Sequence, residues 1–128
     1  MKFLCLICAE KVMEQMTEAD AEKHYRDYEA FMEEIRKSGY CLASEALQSV
    51  QTATTVRMRN GKLSVTDGPF AETKEQLAGF YMIEARDLNE AIQIAARIPP
   101  ARVGSIEVRP IRPIRETVAE SQQRKSNP

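Results

Sequence analysis

The chain has 128 residues, 43% of them hydrophobic and 29% charged, which is the composition of a soluble globular protein and the length of one domain. Eighteen basic residues against nineteen acidic ones leave a net charge of −1, which argues against a general nucleic-acid binder. The chain holds no apolar run long enough to span a bilayer, so no membrane partner is expected.

The first segment, MKFLCLICAEKV, puts only about seven apolar residues before Glu10 and Lys11, with no small-residue cleavage site after them. It reads as a first strand over 2–8 rather than a signal peptide, and the expected location is cytoplasmic. Both alternating faces of this strand are apolar, as in a strand covered on two sides. Cys5 and Cys8 form a CxxC, but on a strand they point to opposite faces about 10 Å apart, too far for a disulfide. No second CxxC completes a zinc site, so the three cysteines, with Cys41, are expected reduced and packing.

A helix is predicted from about 17 to 38, with Thr17 as N-cap, Asp20 reaching back to it and Gly39 after its end. Ala21, Tyr25, Tyr28, Met32 and Ile35 form its expected buried stripe. Residues 40–47 read as the second strand. TTVRMR, Asn60-Gly61 and KLSVT then spell a hairpin with a two-residue turn. That turn pairs Arg59 with Lys62, Met58 with Leu63, Arg57 with Ser64 and Val56 with Val65, collecting the apolar side chains on one face.

After the Asp67-Gly68-Pro69 turn, Thr73 to Gln76 are read as one helical turn and 79–85 as a strand. Asp87 caps a second helix with Glu90 at the capping-box position. Leu88, Ala91, Ile92, Ala95 and Ile98 form its expected stripe, and Pro99-Pro100 stops it. Residues 104–109 form the last strand, and the polar tail 116–128 is expected to be disordered, leaving 1–115 as the domain.

The order β-α-β, hairpin, β-α-β is an α+β, ferredoxin-like split βαβ with an inserted β-hairpin. Right-handed crossovers place both helices on one face of the sheet. The other face, apolar as well, needs a cover, and a second copy across a two-fold axis supplies it. The expectation is a homodimer packed through its sheet faces, a dimeric α/β barrel.

The string DGPFAETKEQLAGFYMIEA, with the Asn-Gly hairpin before it and DLNEAIQIAARIPPARVGSIEVRP after it, resembles the DGPF-domain branch of the YCII-related proteins over about residues 1–113. The resemblance implies a dimeric α/β barrel, bacterial origin and, for some members, a link to sigma factors of the extracytoplasmic-function type. In other YCII-related proteins a His–Asp pair in the barrel cleft is the suspected catalytic centre, and one relative removes chloride from a hydroxylated aromatic.

The residues themselves offer few groups for chemistry. His24 is the only histidine, and lies roughly 60° from the centre of the first helix's stripe, with Asp20 and Asp27 about one turn away. It reads either as an acid/base oriented by an aspartate in a cleft or as a half-exposed helix residue. Asp67 stands where an aspartate usually accepts the N–H two residues on, but that residue is Pro69, which has none. Its carboxylate either turns to the Phe70 N–H or stays available to a ligand. Arg57, Arg59, Glu72 and Lys74 lie near that loop and form a candidate small-anion site, the alternative being a solvated hairpin face. Tyr81 is a candidate to offer its phenol to the cleft between sheet and helices, the alternative being a core tyrosine.

No GxSxG, P-loop, HExxH or GxGxxG motif occurs, and neither a metal nor a cofactor is indicated. Two functions fit: a small-molecule-binding or accessory module, with a sigma-factor pathway as one setting, or a cofactor-free lyase or isomerase. The latter would act on a small polar cyclic or aromatic compound, with Asp67 as acid/base and His24 assisting.

Overall fold

The computed structural model describes residues 1–9, 16–102 and 104–114. Its elements run β1 (Lys2–Ala9), α1 (Glu18–Ser38), β2 (Cys41–Ala46), β3 (Thr54–Arg59), β4 (Lys62–Asp67), β5 (Gln76–Glu84), α2 (Leu88–Ala96) and β6 (Gly104–Pro110), with 3-10 turns at Val50–Thr52 and Pro99–Arg102. Four strands form an antiparallel sheet in the order β2-β5-β1-β6, and β3 and β4 pair separately. This is the split βαβ order, with the hairpin inserted between β2 and β5.

Alternation along the central strands builds the core. Phe3, Cys5, Ile7, Tyr81 and Ile83 point to one face, where they meet Phe31 and Ile35 of α1 and Ala91, Ile94 and Ala95 of α2. Burying each large side chain contributes about 1.5–3 kcal/mol, so this face dominates the stability of the fold. Cys5 is buried on it, whereas Cys8 lies half-buried beyond a register shift, and all three cysteines are free. Burial pushes the Cys5 thiol up to about 11. On the opposite face Leu4, Leu6, Phe80 and Met82 are only half-buried and Leu42 is exposed.

The sheet closes tightly at two glycines. A Cβ on Gly79 would stand 2.7 Å from the Glu45 carbonyl oxygen, and one on Gly104 would run into the Cys8 carbonyl oxygen. Neighbouring strands approach there in a way that side chains forbid.

Local signals place the helices. The Thr17 hydroxyl accepts from the Asp20 N–H, and Gly39 takes φ +79 to close α1. Asp87 accepts from the Glu90 N–H, while Glu90 returns to the N–H of Arg86.

The buried faces of both helices correct the expected stripes. In α1 the fully buried side chains are Phe31 and Ile35, with Tyr28 and Met32 packed against them, while Tyr25 is 65% exposed. Of the stripe predicted for α2, Ala91, Ala95 and Ile98 are buried and Leu88 packs on the core, but Ile94 is buried in place of Ile92, which is 48% exposed. In each helix the buried face takes in an apolar residue just beside the predicted stripe.

The hairpin has the predicted register at every pair, fixed by Asn60 at φ 53 and Gly61 at φ 75. Residues 73–76 are not helical. The Thr73 hydroxyl donates to the Glu75 carbonyl, the Gln76 side-chain amide donates to the Thr73 carbonyl, and β5 begins at Gln76. Local side-chain bonds of this kind compete with a helical turn. The predicted tail 116–128 lies outside the described residues.

Candidate functional site

A cavity of about 320 Å³ opens between the N-terminal half of α1 and one end of the sheet. Ile7 and Ala9 of β1 form its floor, His24, Tyr25 and Tyr28 one wall, and the segment 46–50 with the start of β5 the other. The Leu47 N–H donates to the Ala78 carbonyl at 2.8 Å, which ties the chain leaving β2 to β5. Ser49 then turns the chain by accepting from the Gln51 N–H. These two anchors hold the second wall together.

The lining is mostly apolar. Among the described residues its polar side chains are those of His24, Tyr25, Tyr28, Gln48, Ser49 and Gln76, with no Asp, Glu, Lys or Arg. A shaped apolar pocket with a few polar groups is the usual form of a small-molecule site.

His24 is half-buried, and its Nε2 atom is buried with no hydrogen-bond partner. Buried polar atoms are normally paired, and this one, in a residue that lines the cavity, is not. The His24 ring lies 6.2 Å from that of Tyr28, which lies 6.0 Å from that of Tyr81. Phe31 meets Tyr81 edge-on at 5.5 Å. Tyr81 is fully buried in the core, and its hydroxyl also lacks a partner. Burial raises its phenol well above the ordinary value, and the Tyr28 phenol beside it adds to the rise without reaching hydrogen-bond geometry.

Asp67 stands elsewhere. It ends β4 opposite Thr54, is exposed, and is not on the cavity wall. Its loop is held by backbone and hydroxyl bonds: the Gly68 N–H donates to the Ala53 carbonyl at 2.8 Å and the Thr55 hydroxyl to the Gly68 carbonyl at 2.7 Å. Gly68 has φ +104, which glycine allows and other residues resist. Arg57 lies over the exposed Phe70 ring, 5.8 Å from its centre, and Arg59 donates to the Met58 carbonyl. Glu72 and Lys74 are exposed on the segment leading to β5.

Thus His24 is brought to the cavity and Tyr81 behind it, while Asp67, Arg57, Arg59, Glu72 and Lys74 lie on or beside the hairpin and do not line it. Tyr28 and the segment 46–50 were missed. Tyr28 was read as core alone, although its place one turn after His24 put both on one side of the helix. Among the described residues no three His, Cys, Asp or Glu side chains cluster as metal ligands would. No helix among them is long and apolar enough to cross a membrane.

The fold is a ferredoxin-like α+β unit with a mostly apolar cavity between its first helix and its sheet. The YCII-related domain model matches residues 1–115, and the chain belongs to that family. It is 38% identical over 104 residues to an uncharacterised protein of Rhizobium meliloti (strain 1021), covering 80% of this chain and 84% of the other. Its fold is similar to that of 5-chloro-2-hydroxyhydroquinone dehydrochlorinase from Burkholderia phenoliruptrix AC1100, solved with 2,5-dihydroxybenzoquinone. The TM-score is 0.54 at 13% identity, over 88% of this chain and 94% of that one.

Proposed function

We propose that this protein binds a small molecule in the cavity beside His24. The observation that carries this reading is the mostly apolar cavity of about 320 Å³ with His24 on its wall, whose Nε2 atom is buried without a partner. A turn of the imidazole that brings Nε2 to a ligand in the cavity would remove the cost of leaving it unpaired. As the chain's only histidine, His24 gives an imidazole NMR signal that needs no assignment by mutation. Titration with a fragment library is expected to yield compounds that move this signal. A library with no compound that moves it contradicts the reading.

A second reading rests on the same atom. An imidazole with a free nitrogen on a cavity wall is equipped for proton transfer, which fits a cofactor-free lyase or isomerase for a small polar cyclic or aromatic compound. The likeness in fold to a dehydrochlorinase that holds a dihydroxybenzoquinone supports this only at the level of scaffold. For Asp67 to act as acid or base, a second copy would have to bring its loop to the cavity, because within one chain Asp67 is off the wall.

The half-buried Leu4, Leu6, Phe80 and Met82 support a homodimer packed through that face of the sheet, and a monomer by light scattering at micromolar concentration contradicts it. The DGPF branch and a role beside a sigma factor are proposals that rest on the string from Asp67 to Tyr81 and its flanks, and a cytoplasmic location is one that rests on three cysteines expected reduced and a first segment read as a strand.

A further inference from the structure

Tyr81 poses a problem that its packing does not solve. It is the largest fully buried side chain, and its hydroxyl has no hydrogen-bond partner. A buried phenol normally finds one. The polar group placed to supply it is the Tyr28 phenol, whose ring stands 6.0 Å away at a tilt of 34°. The Cys41 thiol, a weaker group, directs its hydrogen to the Ala43 carbonyl.

Tyr28 differs from Tyr81 in one respect: it also lines the cavity, one helical turn from His24. The three side chains therefore form a line from the core to the cavity, Tyr81 to Tyr28 to His24. A small turn of either ring would let the Tyr81 hydroxyl donate to the Tyr28 oxygen, which would leave the Tyr28 proton to point into the cavity.

We propose that Tyr28 is the second polar contact of the cavity's occupant, that Tyr81 is the residue that positions it, and that the occupant is an uncharged, ring-sized compound presenting an oxygen acceptor to Tyr28. This deepens, and rests on, the reading of the cavity as a ligand site. Among the described residues the lining contains no Lys or Arg to meet an anion and no Asp or Glu to meet a cation, so a charged ligand would find no counter-charge from them. His24, also on the wall, can turn its unpartnered Nε2 to accept from a hydroxyl on the same compound.

The test uses the full chain and two six-membered probes, 2-hydroxycyclohexanone and cyclohexanecarboxylate, with affinity read from the His24 imidazole signal and stability from the Tm. The hydroxyketone is expected to bind at least about tenfold tighter than the carboxylate, and Tyr28→Phe to lose about tenfold of that affinity. Tyr81→Phe is expected to lose about threefold while keeping the Tm of the free protein at or above that of the wild type, because it removes a hydroxyl that is unsatisfied without ligand. A structural role alone would lower the Tm and leave the affinity unchanged.

Tighter binding of the carboxylate overturns the ligand class, and unchanged affinity in Tyr81→Phe overturns the positioning role. Both results leave the cavity reading standing. If neither probe moves the imidazole signal while library fragments do, the inference alone falls. If nothing moves it, the cavity reading falls as well.

Discussion

The hairpin and the four-stranded sheet are both antiparallel β-structure with apolar residues at alternate positions, yet only one has a built core. In the sheet Phe3, Cys5, Tyr81 and Ile83 are at most 1% exposed. In the hairpin Val56, Met58, Leu63 and Val65 are 56–65% exposed on their shared face. The difference lies in what packs on each. Two helices cover the sheet, whereas the hairpin's only extensive pairing is between its own strands. A period of two tells which side chains share a face, but not whether that face is covered.

The sharpest way to break this comparison is to truncate the core. Phe3→Ala should cost about 3–5 kcal/mol in chemical denaturation, and a cost under 1 would mean that the inner face is not the core. Gly79→Ala comes next. Its new Cβ would press on the Glu45 carbonyl, and a loss of about 1–3 kcal/mol is expected from overpacking; no loss would mean that β2 gives way freely.

A third effect is one of pH. Burial in the fold raises the Cys5 thiol from its ordinary 9.0 to about 11, so the folded state holds this proton more tightly. Its contribution is full below pH 9.0 and is lost as pH rises through about 11. The stability difference between wild type and Cys5→Ala should therefore shrink over that range, and a constant difference would refute burial as the cause.

The smallest effect is expected in the hairpin, where Val65→Thr should stay within about 0.5 kcal/mol in the monomer. A larger loss that grows with protein concentration would show that a second copy covers the hairpin face.

How far each feature was legible in the sequence follows from how locally it is encoded. The hairpin register was readable because Asn60-Gly61 and strict alternation fix it within a dozen residues. The caps at Thr17 and Asp87 were readable for the same reason. The buried side of α1 was not, because Tyr25, Tyr28, Phe31 and Met32 offer apolar groups in several directions, and only packing on Tyr81 selects among them. That rotation brings His24 to the cavity wall. The cavity itself joins residues from β1, α1, the segment after β2 and the start of β5. Such a set is assembled by topology and leaves no motif. Asp67 stood out because Pro69 blocks its usual acceptor role, but that argument concerned the loop and could not say where the loop lies.

The central claim is that the ligand site is the His24 cavity and not the Asp67 loop. A thermal-shift screen on the wild type, His24→Gln and Asp67→Ala tests it directly. Compounds that raise the Tm of the wild type should do so in Asp67→Ala and lose most of their effect in His24→Gln. Stabilisation that survives in His24→Gln and disappears in Asp67→Ala would contradict the account.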